Sequence, residues 1–395
     1  MRRVRHVVYR GLILAVAALL TGCSALPAAG PRAADVVSQE SPPGVLGGYV
    51  LVDIDERVAS VSASQPHESF KSVFKTGRPP PDLRIGVSDS VIVTIWEAAA
   101  GGLFSAAPNQ LGMSAGARTA TIPEQVVARD GTIEVPYAGR LRVVGLTPAE
   151  VEREIVRALS GKAIEPQVVV TISKNLSNTV TVGGEIAPGP TGERVPLTTK
   201  GDRILDVIAA TGGLRIPATS AFIRLTRGNR TVSVAYNAIL AHPEENIFAA
   251  PGDVITVVNE PQTFTAFGGT GRNAQVPFDT MGITLEEAIA KAGGLLDYRA
   301  DPAGIFLLRF EPTALVAQLV PGRELPSHGD LVPVVYRLNL RDANSFFLAR
   351  SFAMQDKDML YVSNSASDPV QKFLTLAGAV ISPVISGAAV YGAVK

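Results

Sequence analysis

Two stretches of this chain repeat each other, and that self-similarity constrains the fold more than any other feature. Thr179-Val180-Thr181-Val182-Gly183-Gly184 returns as Thr263-Phe264-Thr265-Ala266-Phe267-Gly268-Gly269. Val195-Pro196-Leu197 returns as Val276-Pro277-Phe278, and "ILDVIAATGGL" (204–214) returns as "TLEEAIAKAGGL" (284–295). The interval from Val195 to Val276 equals that from Gly212 to Gly293, so the segment between keeps its length. Each unit then adds a strand, Phe222–Thr226 or Ile305–Phe310. Each closes on another strand after an aspartate, Asp253–Val258 or Asp358–Val362. A repeat of this size signals tandem modules.

Within one unit the spacing predicts a β-hairpin, a short helix and a return to the sheet. Ile204, Val207, Ile208 and Thr211 fall on one helical stripe, suited to packing on a sheet. The Gly-Gly pair that follows supplies positive φ and stops the helix. The earlier pairs, Gly183-Gly184 and Gly268-Gly269, are read as hairpin turns. This order of elements predicts α+β modules of β-grasp type. Gly268-Gly269-Thr270-Gly271-Arg272 lacks the lysine-Ser/Thr pair of a phosphate loop and is assigned to structure.

A fainter echo lies upstream. "LRIGVSDSVIVTIWE" (83–97) has the same aspartate-then-strand form, with Val91, Val93 and Ile95 alternating against Ile92, Thr94 and Trp96. Its place in this strand assigns Trp96 to the core, whereas Tyr137, after Pro136, is expected to be exposed. "DGTIEVPYAGRLRVVGLTPAEVEREIVRAL" (130–159) reads as turn, two strands and a helix. Thr147 is its N-cap, Pro148 fits the first turn, and Glu150 completes a capping box. "PQVVVTIS" (166–173) is a further strand, and 311–330 is expected as a Pro-containing surface loop.

The two ends of the chain point to a membrane. Arg2, Arg3, Arg5 and Arg10 precede an apolar run from Gly11 to Leu20, the pattern of a secretory leader. It runs into Leu20-Thr21-Gly22-Cys23, which resembles a bacterial lipobox and marks Cys23 for lipid attachment. Ser24, rather than aspartate, follows it, as in lipoproteins bound for the outer membrane. Cys23 is the single cysteine, so no disulfide forms within one subunit. Residues 23–47, rich in Pro, Ala, Gly and Ser, read as a tether. Gly48–Asp55 is an expected strand, and Val61–Ser72 shows no clear period.

At the other end, Phe373 to Val394 passes without a charge. As one helix it would be about 33 Å long at about 1.5 Å per residue, against a hydrocarbon core of roughly 30 Å. Its side chains divide by size. Thr375, Gly378, Ala379, Ser382, Ser386, Ala389 and Ala393 share one face; Phe373, Leu374, Leu376, Val380, Ile381, Val384, Ile385 and Tyr391 share the other. A lone anchor has no need of that division. Helices packed in a ring do, with small groups against neighbours or lumen and large groups against lipid. Pro383 predicts a kink.

Composition excludes several classes. Net charge is zero and only 18% of residues are charged, so there is no basic stripe for nucleic acid. His6 lies in the leader, and His67, His242 and His328 stand apart, without metal-ligand spacing to any partner. Glu286-Glu287 sit in the first turn of a helix, where the dipole accounts for them. No catalytic constellation, metal site or cofactor is read from the chain.

The strings "SDSVIVTIWE", "DGTIEVPYAGRLRVVGLTPAEVEREI" and "PQVVVTI" resemble the polysaccharide export domain. The two Gly-Gly-Leu units resemble the soluble-ligand-binding β-grasp (SLBB) modules that follow it. With the lipobox, the order of parts is similar to that of the outer-membrane polysaccharide export lipoproteins. The family usually places glycine before the strand-leading aspartate, as at Gly252; here Ser88 and Lys357 also hold that place.

The resemblance implies a leader (1–22), tether (23–47), N-terminal strand and connecting segment (48–80) and polysaccharide export domain (81–178). Two β-grasp modules (179–262 and 263–367) and a C-terminal outer-membrane helix (368–395) follow. It implies a non-enzymatic subunit of a homo-oligomeric ring with its body in the periplasm and its tails forming a pore for capsular or extracellular polysaccharide. The implied partners are the polymer, outer-membrane lipid and an inner-membrane polysaccharide co-polymerase or ABC-transporter export complex. The alternative is a periplasm-facing glycan-binding lipoprotein that its tail merely anchors.

Overall fold

Alternating burial along short strands organises this chain into sheets. The computed structural model describes residues 30–40, 48–64, 68–75, 82–97, 103–104, 118–187, 192–326 and 330–365. The chain divides into two compact units, one of residues 67–260 and one combining 1–66 with 261–395. A helix at Ala33–Ser38 precedes β1 (Val50–Asp53), and helices at Glu56–Ala63 and Phe70–Phe74 follow. Next come β2 (Ser90–Glu97), β3 (Arg118–Val126), β4 (Thr132–Val135), β5 (Gly139–Arg142), the helix Pro148–Leu159 and β6 (Gln167–Lys174). The first repeat contains β7 (Thr179–Gly184), β8 (Glu193–Pro196), the helix Ile204–Ala210, β9 (Ala221–Arg227), β10 (Arg230–Ala235), the helix Tyr236–Ala241 and β11 (Val254–Asn259). The second begins with β12 (Gln262–Gly268), β13 (Ala274–Phe278) and the helix Leu285–Lys291. It continues through β14 (Ala300–Pro312), the helix Thr313–Leu319, β15 (Leu331–Leu338), the helix Asn344–Ser351 and β16 (Met359–Asn364).

In the unit 67–260, β3-β2-β6 form an antiparallel sheet and β4-β5 a separate hairpin. The helix Pro148–Leu159 closes their core with Val151, Ile155 and Leu159, spaced one turn apart and fully buried. Its capping box forms as spelled: Glu150 N–H donates to Thr147 Oγ1 at 3.3 Å and Thr147 N–H to Glu150 Oε2 at 2.8 Å. Val91, Val93 and Ile95 point into the core, but Trp96 is only half-buried. Trp96 shares parity with Ile92 and Thr94, and period-two alternation puts all three on the face away from the helix.

The two repeats build sheets of one strand order. The first reads β10-β9-β11-β7-β8, and the second reads β15-β14-β16-β12-β13 with β1 added beside β15. In both, the strand after the aspartate runs parallel to the first strand of its repeat, pairing Val254 with Thr181 and Met359 with Thr265. The helices buried beneath present Ile204, Val207 and Ile208 in one case and Leu285, Ala288 and Ile289 in the other.

Several expectations are corrected. Within the expected strand and connecting segment 48–80, β1 runs parallel to β15, with Val50 opposite Val334, and Phe70 is fully buried in the first repeat's core. Within the expected tether, Ala33–Ser38 is helical, and Val36 packs against Phe306 and Val335. The expected loop at 311–330 contains the helix Thr313–Leu319, whose Leu315, Val316 and Leu319 are buried. These segments are short, and their burial depends on residues that they meet only in the folded sheets rather than on a period of their own. The pairs Gly183-Gly184 and Gly268-Gly269 do not make hairpin turns. Gly184 (φ +88°) and Gly268 (φ +89°) end β7 and β12, where a Cβ would stand 2.0 Å from the Val257 carbonyl oxygen and 1.9 Å from that of Val362. Close backbone approach explains glycine there.

Candidate functional site

One chemical device recurs in all three modules. Asp89, Asp253 and Asp358 are each almost wholly buried at the foot of a strand. Each accepts, through one carboxylate oxygen, the N–H three residues earlier: Gly86 at 2.7 Å, Ala250 at 2.8 Å and Gln355 at 2.8 Å. The residue before each aspartate has positive φ, +74° at Ser88, +84° at Gly252 and +67° at Lys357. The turn is therefore the same with or without glycine, and Ser88 and Lys357 carry backbone strain that Gly252 avoids.

Around that turn the modules diverge. Asp89 gathers the N–H groups of Leu176 and Ser177 and the Ser177 hydroxyl, pinning the exit of β6. In the repeats an arginine takes this place. Arg227 Nε and Nη2 grip both oxygens of Asp253 at 2.8 and 2.7 Å, and Nη2 also donates to the Phe248 carbonyl. Arg309 grips Asp358 at 2.7 and 2.6 Å, and its Nη2 donates to the Ala353 carbonyl. Nη1 of Arg309 also reaches Glu311, whose Oε1 accepts the Tyr336 hydroxyl at 2.9 Å.

The electrostatics follow from burial. Burial alone would lower the Arg309 pKa, but hydrogen bonding and charge from Asp358 win and hold it above its ordinary value. Burial pushes the Asp358 carboxyl up against the pull of Arg309. It also raises the Tyr336 phenol, with the charge of Glu311 adding to it. Every member of this cluster has a structural partner, so these perturbed groups clamp the sheet rather than wait for substrate.

An exposed corner of the N-terminal module carries two aromatic rings in contact. Tyr137, 55% exposed and at φ +64°, meets the Phe104 ring edge-on, with centroids 5.4 Å apart. Buried Glu97 fixes the corner from beneath by accepting the N–H groups of Phe104 at 2.9 Å and Ile164 at 3.1 Å. Lys162 Nζ donates to the Tyr137 carbonyl. An aromatic face held at the surface can stack on a sugar ring.

Of the residues singled out in the sequence, Tyr137 is exposed as expected and Trp96 lies on a half-buried face. Thr270 is buried and hydrogen-bonds to Arg272 and Asn273, which assigns the Gly-rich loop to structure. Cys23 and the tail residues from Phe373 to Ala393 lie outside the described residues. Among the described residues no helix is long and apolar enough to cross a membrane, and no group of carboxylates, His or Cys could hold a metal ion. Arg227, Arg309 and Glu311 were not singled out. The readable signal was a charge inside an apolar strand, "IFLLRFE" (305–311).

Residues 77–173 match the family described as polysaccharide biosynthesis/export protein, and residues 262–362 match the SLBB domain. The chain is 37% identical over 377 residues to the capsule polysaccharide export protein BexD of Haemophilus influenzae, covering 93% of this chain and 94% of that protein. It is 37% identical over 393 residues to the capsule polysaccharide export outer membrane protein CtrA of Neisseria meningitidis serogroup B, covering 98% of each. Identity to the Vi polysaccharide export protein VexA/TviF of Salmonella typhi is 27% over 305 residues, covering 72% of this chain and 82% of that protein. Agreement of this kind along nearly the whole length, through both repeats as well as the module before them, shows that the chain belongs to the polysaccharide export family.

Proposed function

We propose that this chain is a subunit of an oligomeric outer-membrane channel that passes capsular or extracellular polysaccharide from the periplasm to the cell surface. The supporting observation is near end-to-end identity to capsule export proteins, carried by a chain with an apolar, size-segregated tail. Its place is the outer membrane, the location that its meningococcal relative bears in its name. Lipid on Cys23 holds the periplasmic body against the inner leaflet. The tail crosses from there, and tails from neighbouring subunits close a ring, because one helix cannot line a conduit.

On this reading Thr375, Gly378, Ser382, Ser386, Ala389 and Ala393 face neighbouring helices or the lumen. Phe373, Leu376, Val380, Val384 and Tyr391 face lipid. The modules supply rigid walls and stacking surfaces below the pore, and their buried ion pairs are structural. The chain performs no covalent chemistry; an inner-membrane polysaccharide co-polymerase or ABC-transporter export complex supplies the energy.

The mass of the detergent-extracted particle tests the proposal: a closed multimer is expected, and a monomer would leave only an anchored binder. An epitope after Lys395 should stain on intact cells. Staining only after permeabilisation would place the tail's end inside and remove the pore.

A further inference from the structure

A cleft lies against the first repeat. It has a volume of about 700 Å³, within the range of small-ligand pockets, and opens beside the helix Phe70–Phe74. Lys71, Lys75 and Arg203 bring three positive charges to its lining against one carboxylate, Glu244. Among the described residues, no hydrogen bond or ion pair engages the ammonium of either lysine. Nearby Glu245 is already engaged, accepting the N–H groups of Phe70 at 2.8 Å and Lys71 at 3.4 Å. Asp206 accepts the backbone N–H of Arg203 at 2.9 Å. Three cations against one lining carboxylate make the cleft wall locally positive, and a positive concave surface attracts anions.

Arg203 is held rather than free. Its guanidinium lies 4.3 Å from the centroid of the Phe248 ring, and Nη1 donates to the Asn246 carbonyl. The remaining guanidinium donors are available for a carboxylate or phosphate, which they suit in a bidentate fork.

The second repeat shows what this position needs for folding alone. Arg203 pairs with Phe248 in an isolated bridge, and the equivalent bridge in the second repeat joins Thr284 to Ala353. Thr284 caps its helix, accepting the Glu287 N–H, whereas Arg203 makes no side-chain cap. The first repeat therefore has a cation and an aromatic ring where the second has a cap and a methyl group. A local rule broken at a cleft points to function.

We propose that this cleft binds the anionic groups of an acidic glycan, the carboxylates or phosphates borne along a charged polymer. This rests on the export reading and adds a contact site to it: an acidic polymer is held at this cleft of the first repeat. Lys71 and Lys75 attract the chain, and Arg203 sets its orientation.

The test uses the full chain extracted in detergent, with fluorescent oligogalacturonate as the acidic probe and a malto-oligosaccharide as the neutral one. Salt-sensitive binding of the acidic probe alone is expected. Lys71→Gln with Lys75→Gln should weaken it about tenfold or more. Arg203→Thr should weaken it similarly while leaving the unfolding temperature unchanged or raised, since threonine caps the helix. Equal affinity of wild type and variants, equal binding of the neutral probe, or equal competition by inorganic phosphate would overturn the assignment to a glycan anion. The export reading is judged separately, from surface polysaccharide on cells lacking 373–395; either result can fail without the other.

Discussion

In the first repeat Arg227 holds Asp253 with its side chain 20% exposed, while in the second Arg309 holds Asp358 at 4%. The turn, the bidentate geometry and the third bond to a backbone carbonyl are shared. The surroundings are not. Where the first repeat has Val232 opposite Leu225, the second has Tyr336 opposite Leu307. The tyrosine hydroxyl demands a partner, and Glu311 supplies it. The tight Gly228-Asn229 turn between β9 and β10 corresponds to the insertion with the helix Thr313–Leu319, and β1 covers the sheet edge beyond β15. One device thus operates both near water and away from it. The second setting makes each missing partner more costly, because water cannot replace it.

The largest test of this contrast is removal of the arginine. Arg309→Met leaves Asp358 and Glu311 buried without their cation and should cost about 3–5 kcal/mol. Arg227→Met should cost less, about 1–3 kcal/mol, because solvent can reach Asp253's neighbourhood. Urea unfolding of the two variants measures the difference, and equal losses would mean that burial does not separate the pairs.

Next come the positions where the repeats should agree. Gly184→Ala and Gly268→Ala each force a Cβ against a carbonyl oxygen at positive φ. The expected loss is about 2–3 kcal/mol for each. A marked inequality between them would show that the strand ends are not equivalent.

Smaller effects probe the aspartate turns. Lys357→Gly and Ser88→Gly should each raise stability by about 1 kcal/mol by relieving strain, and Gly252→Ala should lower it by about as much. At Gly252 an added Cβ meets nothing within 4 Å, so the effect there is purely conformational. A gain from Arg203→Thr of about 0.5–1 kcal/mol follows from restoring a cap. Calorimetry of purified variants reads all four.

The smallest effect concerns acid. The Thr147 N–H holds the Glu150 carboxyl below its ordinary range, with the Thr147 hydroxyl and Arg84 adding to it. Its contribution is complete above the unfolded carboxyl's value, about pH 4.3, and is lost as pH falls through the lower folded value. Glu150→Gln should flatten that acid limb of the stability curve; an unchanged limb would remove Glu150 from it.

Much of this was legible from local pattern. The capping box at Thr147–Glu150, the stripe from Ile204 to Thr211 and the strands after Asp253 and Asp358 each depend on residues close in sequence. Their spacing therefore displayed them. The site was less legible. Tyr137 follows a proline and reads as exposed, but Phe104 approaches it from a part of the chain with no periodic signal. Arg203 stands directly before a helix, and nothing in its local sequence marks it. Its role emerges only when Phe248 and the lysines at 71 and 75 come alongside it.

By itself the sequence determined the modular order, the two repeats and the helix stops at Gly-Gly-Leu. All of these follow from short-range periodicity and backbone preference, which a few neighbouring residues specify. Tertiary structure alone decided that β1 joins β15 across a gap of hundreds of residues and that Val36 completes a distant face. It also decided that Arg309, Glu311, Asp358 and Tyr336 form one buried cluster. Those choices depend on which apolar surfaces and unpaired polar groups meet away from water. No local spacing records that meeting, because its free energy belongs to the assembled sheet.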